Sequence, residues 1–488
     1  MAPFGLALFF SLALVPNGRD FGRKSARVAR SGASMELVSS DANFVAWASI
    51  KSASSLSKVE LATFQPLGLR GLRATRPLAP RDESISWPAS LALQVTTGMR
   101  TPVGVSKPLW TSAQWYTRLA LLLLLEKAEG AASELAPWLD ALPGAFDTPY
   151  SWADADVDAL HYPQLGDAVR RQREEWARIH ADLEASGFAC SRAQLEWALH
   201  NVRSRAFSGA YEGSTYEQRI GLFGFISLLT LIYPLIGAGS WNQSLTGAAS
   251  ALIFLVARDI ATPKVLGLKR YVLCPLIDML NHDGTVSSDV AYRVFTNQFC
   301  VTSESAVGVG GEVRISYGPR SNDQLLQYHG FVEHECVHDA YVMPRFLQHV
   351  DAYAGVSDGA LDRLQTDGVL EPLRKGVRLD RLGNADQESR RIVERLAEAI
   401  GGGKSATELL LAACRLEQQA QPTTLAQDVD QLAQLGSAAP IKSSSGPKKA
   451  GAARGFDPAS VDNSRLRTIL QFRAAKKAIL ARAIAALD

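Results

Sequence analysis

The chain has 488 residues, 47% hydrophobic and 20% charged, enough to bury a sizeable core divided over roughly two to four domains. Its 51 Lys and Arg nearly balance 49 Asp and Glu, and a formal charge of +2 gives no whole-chain argument for nucleic acid. Five cysteines with no CxxC pair exclude a disulfide framework or a cysteine-rich zinc tail and fit a reducing compartment.

At the N-terminus an apolar run, Phe4 to Val15, precedes an Arg- and Ser-rich stretch whose one acidic residue is Asp20. A signal-like core followed by a basic, transit-like segment suggests a bipartite plastid address over residues 1–40. The run has no basic residue ahead of it, so a signal anchor or a start site misplaced upstream stays open, with cytoplasm or a membrane-associated location as the alternative.

Ala42 to Val59 is expected to be helical, with short strands separated by Gly and Pro to about Lys107. From about residue 112 to 200 the pattern is helical, with an apolar stripe in WYTRLALLLLLEKA and an amphipathic period in RRQREEWARIHADLEA. Between Arg219 and Arg258 there is no charged residue. The run from Ile220 to Trp241 has the length of a bilayer span, whereas the stretch after an Asn242-Gln243-Ser244 turn falls below the roughly 18 residues a span requires. An apolar hairpin at about 220–257 follows, either in contact with a membrane or buried against the fold or another subunit, where Pro234 and several Gly suit close, kinked packing.

Strand character returns near Tyr271. Glu312 to Tyr317 alternates with period two, so Val313, Ile315 and Tyr317 share a face, and Gly318-Pro319 ends the strand with a phenol at the rim of that face. From about Arg345 the pattern is helical to the end, interrupted by a low-complexity loop at about 437–455 that is expected to be disordered. The basic residues of the last stretch, among them Arg465, Arg473, Lys476 and Lys477, suggest a solvated helix face rather than a polyanion site.

Two motifs can be set aside. GGGKS at Gly401 to Ser405 has Glu398 where a phosphate loop needs its first Gly. His334, Cys336 and His338, with His329 nearby, would put three ligands on one short strand, which fits tetrahedral zinc poorly, so no metal is expected. No Ser-His-Asp or HExxH constellation is identifiable.

Four blocks carry a family likeness: GLRGLRATRPLAPRDESISWP (Gly68 to Pro88), WALHNVRSRAF (Trp197 to Phe207), CPLIDMLNH (Cys274 to His282) with EVRISYGPRSNDQLLQYHGF (Glu312 to Phe331), and the terminal Asn463 to Leu487. Their order resembles the SET-domain protein methyltransferases, in the group of the Rubisco large-subunit lysine and actin-histidine methyltransferases. The resemblance implies an α+β fold: a β-rich, pseudoknotted SET domain over 41–344 with a helical insert at about 112–200, then an all-α substrate-binding domain over 345–488. It implies S-adenosyl-L-methionine as methyl donor and a lysine of a non-histone protein as acceptor, with no nucleic-acid partner. A protein histidine is the alternative acceptor, and a catalytically inactive, membrane-tethered SET-fold binding protein the alternative from another class.

By the same resemblance, backbone at Gly68, Leu69 and Arg70 and the side chain of Arg205 hold the methionine part of the cofactor, and Asn281 and His282 complete its pocket. A guanidinium suits the cofactor's carboxylate because it can pair with it through two hydrogen bonds. On the acceptor side stand Asp278, Tyr292, Tyr317 and His329, with Tyr317 the catalytic residue; Asp278 has the equal alternative of capping the Asn-His loop. Transfer to an amine is an in-line displacement that needs alignment and exclusion of water. A lysine acceptor must also lose a proton from an amine of reference pKa about 10.4, which a desolvated aromatic channel favours. Two positions depart from the family, both on the acceptor side: His329 stands where Tyr is frequent, and Gly209 where the plant Rubisco enzyme has Arg.

Overall fold

The computed structural model describes residues 33–64, 68–210, 216–266, 269–293, 296–437 and 458–488. Most of the 1–40 presequence expectation and the 437–455 loop lie outside them. The first helix runs Ala33–Lys51, beginning before the expected Ala42, and a second turn, Ala53–Leu56, leads into the sheets.

Among the described residues twelve strands follow: β1 (Val59–Phe64), β2 (Leu69–Ala74), β3 (Glu83–Pro88), β4 (Leu93–Thr96), β5 (Phe207–Ala210), β6 (Lys269–Leu273), β7 (Asn281–His282), β8 (Ser288–Arg293), β9 (Gln298–Ser303), β10 (Glu312–Ile315), β11 (Ala340–Met343) and β12 (Val377–Asp380). Three small sheets, β1-β2-β10-β7, β3-β9-β8 and β4-β6-β5, surround one core. β10 lies between β2, to which it is antiparallel, and β7, to which it is parallel. A late strand thus threads between two earlier ones, the knot-like closure the resemblance implied. Val313 and Ile315 are buried, as the alternation requires, and Tyr317 follows just beyond the strand.

The helical insert divides between two cores. Trp115–Glu129 buries Leu119, Leu121 and Leu123 beneath the sheets, and Arg192–Arg205, opened by a Ser191–Gln194 capping box, packs beside it. Trp152, Leu160, Tyr162, Leu165 and Val169 join the C-terminal core instead. That unit is mainly helical and carries one antiparallel sheet, β11-β12, a departure from the all-α expectation. Residues 401–405 link two helices: Gly401 ends Gln387–Ile400, and Ser405 caps Ala406–Gln419 in a box with Glu408.

The terminal helix Pro458–Leu487 corrects the solvated-face expectation. Lys476 Nζ is buried, 2.6 Å from Asp323 Oδ2 and 2.7 Å from Asp339 Oδ1. Arg473 and Lys477 share Asp428, and Arg465 bridges Asp147 and Asp156. These carboxylates come from remote parts of the chain, so local charge counting could not see them. Breaking such a buried pair by removing one partner costs about 3 to 5 kcal/mol, which ties the helix to the rest of the fold.

The apolar segment forms the expected hairpin, but it is not buried against the fold and does not supply a bilayer span. It forms two helices, Tyr216–Leu235 and Trp241–Leu266, paired with each other. Its large apolar side chains are exposed rather than buried in the core. The turn falls at Ile236–Ser240, earlier than expected, and cuts the apolar run, so its described helical part, Ile220–Leu235, is only about 24 Å long against a hydrocarbon core of about 30 Å. Among the described residues no helix is long and apolar enough to cross a membrane.

Candidate active site

Tyr317 is placed by the strand that precedes it. Its backbone N–H donates to His282 Nδ1 (3.0 Å) and its phenol donates to the Leu280 carbonyl (2.8 Å). Its ring stacks on both His282 and His329, at centroid distances of 4.9 and 4.8 Å, with Phe331 beside the two imidazoles. Burial pushes the phenol up to about 12, so it stays protonated at neutral pH.

His282 accepts at Nδ1, which leaves Nε2 as the protonated nitrogen, 3.6 Å from Glu333 Oε2. Burial holds this histidine below its ordinary range, opposed by the Glu333 charge. Glu333 also accepts from Gly284 N–H, and a Cβ at Gly284 would lie 2.8 Å from that carboxylate. Asn281 donates through Nδ2 to Glu312 Oε1 (2.7 Å) and the Arg70 carbonyl (3.2 Å), locking β7 across β10 to β2.

Asp278 sits on a 3-10 turn, Ile277–Met279, reached through a γ-turn at Leu276 (φ 69°, ψ −47°) that Ile277 N–H closes on the Pro275 carbonyl (2.9 Å). That rare backbone for a branched residue turns the carboxylate inward. Its side chain is 0% exposed, accepts from Trp138 Nε1 (3.2 Å) and lies 3.4 Å from Arg205 Nη1, which also donates to the Asp278 carbonyl (2.9 Å). The other carboxylate oxygen of Asp278, Oδ1, is buried without a hydrogen-bond partner. Burial disfavours both charges of this pair, raising the acid and lowering the base, and each offsets the cost of the other. Arg205 Nε is buried without a hydrogen-bond partner and lies within electrostatic range of Tyr317.

Gly68, at positive φ, and Leu69, 51% exposed, lie at the open end of β2, where an added Cβ on Gly68 meets nothing. The close approach falls on Gly71, whose Cβ would stand 2.7 Å from Asn281 Nδ2. Arg70 pairs with Asp41 (2.8 Å). Tyr292 belongs to a different ring group: its hydroxyl donates to Asn297 Oδ1 (2.9 Å), its ring tilts on Phe299, and Arg270 lies over it at 4.3 Å. Sequence reasoning missed Gly71, Trp138, Glu312 and Glu333. It also missed Arg203, which lies 3.8 Å over the Tyr328 ring, and Arg320. Gly71, Arg203, Glu312 and Arg320 stood inside the quoted blocks without being singled out; Trp138 and Glu333 are brought in by folding.

His329 is the most perturbed base of the site. Burial, then the charges of Arg320, His282 and Arg203, hold it at about 3. His200, buried among Phe146, Tyr150 and Trp176, is lowered by burial to about 4. An unfolded histidine titrates near 6.5, so below that pH the unfolded chain takes up protons the folded one refuses. Stability therefore falls as pH drops from about 6.5 towards 3. His329→Phe is expected to lose less stability than the parent between pH 7 and pH 4, by on the order of 2 to 3 kcal/mol. Urea melts of both proteins at the two pH values measure the difference.

No family model matches the chain. Among curated proteins it is similar to an actin-histidine N-methyltransferase of Drosophila melanogaster, 28% identical over 66% of this chain and 54% of the relative. It is also similar to SET domain-containing protein 4 of Mus musculus (26%, 58% and 57%) and to ribosomal lysine N-methyltransferase 1 of Saccharomyces cerevisiae (21%, 42% and 33%). The chain spans about half the length, or less, of these relatives. Among solved structures it matches the SET domain of LSMT bound to lysine and AdoHcy, with a TM-score of 0.58, 15% identity and coverage of 92% and 91%. Rubisco LSMT bound to AdoMet matches with a TM-score of 0.56, 16% identity and the same coverage.

Proposed function

We propose that this SET-fold chain, similar to the Rubisco large-subunit lysine and actin-histidine methyltransferases, is an S-adenosylmethionine-dependent protein methyltransferase acting on lysine. The observation that carries the reading is the threading of β10 between β2 and β7, which sets Tyr317 against His282, His329 and the Leu280 carbonyl. When bound, S-adenosylmethionine supplies an electrophilic methyl group on a sulfonium. The residues fit such a group. Arg205 keeps a buried, unpartnered N–H for a carboxylate, and Glu312 and Glu333 hold Asn281 and His282 on β7.

The acceptor needs a neutral nitrogen in a dry, oriented setting. Arg320 and Arg203, which depress His329, also disfavour an ammonium placed next to it, so a lysine there loses its proton more easily. Tyr317, protonated, takes no proton itself; its oxygen and ring orient the reacting groups and favour positive charge near the ring face. The similarity to an actin-histidine enzyme favours a second reading, a protein histidine as acceptor, which needs less deprotonation. Plastid targeting is part of the proposal and rests on the sequence of residues 1–40 alone.

Incubation with methyl-labelled S-adenosylmethionine and plastid extract, followed by mass spectrometry of labelled bands, is expected to find methylated lysine on a non-histone protein. Methylated histidine would move the assignment to the second reading. Cofactor binding by calorimetry without any labelled product would favour an inactive binding protein, and absence of both would overturn the proposal.

A further inference from the structure

More than half of the large exposed apolar side chains among the described residues lie on the hairpin of Tyr216–Leu235 and Trp241–Leu266. On the first helix they are not confined to one face. Ile220, Phe223, Phe225, Leu228, Leu229 and Tyr233, each between 45 and 55% exposed, point in all directions when spaced at 3.6 residues per turn. The narrow remaining stripe, Ile226, Thr230 and Pro234, is less exposed, and Ser244 of the second helix donates from there to the Thr230 carbonyl (2.6 Å). The second helix exposes Trp241, Leu245, Ile253 and Phe254.

A protein partner, or a second copy of this chain, covers one side of such a hairpin and leaves the rest in water, whereas a solvent covers all of it. Charge complementarity points the same way, for no Asp, Glu, Lys or Arg occurs from Ile220 to Ala257, and a protein interface normally has a polar, charged rim. Three hydroxyls are also paired internally: Thr230 donates to the Ile226 carbonyl (2.7 Å), Ser244 to that of Thr230 and Thr246 to that of Asn242 (2.8 Å). At the tip Ser240 and Gln243 cap each other. A medium without water demands such internal pairing. We infer that the hairpin inserts tip first into the hydrocarbon of a lipid bilayer, entering and leaving by the same face without either helix crossing it.

Flotation of the purified full chain with phosphatidylcholine vesicles tests this, because these lipids carry no net charge and the basic C-terminal stretch adds nothing. The parent is expected to float. The double variant Phe225→Glu, Leu229→Arg should float about tenfold less or worse, since each places a charge near the middle of the inserted helix. Its thermal transition should stay unchanged, because both side chains are exposed in the fold. Flotation kept by the variant would overturn the inference and point to the apolar run Phe4 to Val15. A parent that stays unbound would also overturn it, and a dimer by light scattering that the variant loses would then assign the hairpin to a second copy. A lowered thermal transition in the variant would make the hairpin part of the folded core and likewise overturn it.

Discussion

Tyr317→Phe is expected to lower turnover on a defined protein substrate by about 10²- to 10³-fold, the usual loss when one preorganised polar group is removed from a reaction centre. The substitution keeps the ring, and with it both imidazole stacks and the His282 contact, which is made by the backbone N–H. What disappears is a single oxygen. Because that oxygen donates to the buried Leu280 carbonyl, the variant also loses one hydrogen bond, at a cost of about 1 kcal/mol, or up to about 3 if the carbonyl finds no other donor. Thermal melting and cofactor calorimetry separate the two effects: a small drop in stability, nearly unchanged cofactor affinity and a large loss of rate assign the phenol to chemistry. A variant within tenfold of the parent rate would leave Tyr317 a packing residue.

The elements written by local alternation were legible in the sequence. β10 could be read because Val313 and Ile315 face the core, although it ends at Ile315, two residues before the expected Tyr317, and the ordered motif blocks supplied the threading that alternation cannot. Long-range polar pairing could not be read. Glu312 and Glu333 are ordinary surface-type residues until β10 and the segment after His329 bring them to Asn281 and His282. Asp278 shows the same limit, since nothing in its apolar run announces Trp138 and Arg205 as its partners. The expected bilayer span failed for a different reason. Hydropathy counts residues along the chain, but the turn at Ile236–Ser240 divides the run and sets how far each helix reaches.

Arg205 carries the second large effect, because it serves the fold and the proposed cofactor together. Arg205→Ala should destabilise the protein by about 3 to 5 kcal/mol, since Asp278 is left 0% exposed with Trp138 as its remaining side-chain donor. Loss of cofactor binding in that variant would therefore say little about binding. Arg205→Lys keeps the positive charge beside Asp278 and gives up the planar fork, so it should fold and weaken S-adenosylmethionine binding by about 1.5 to 3 kcal/mol, the range for a hydrogen bond to a charged group. The paired change Arg205→Met with Asp278→Leu removes both buried charges and should recover most of the stability lost by the alanine variant. It should not recover affinity. Calorimetry on the lysine and paired variants, alongside their urea melts, decides the matter: a paired variant that is stable and still binds with parental affinity would remove Arg205 from the cofactor site and leave it as the counter-ion of Asp278.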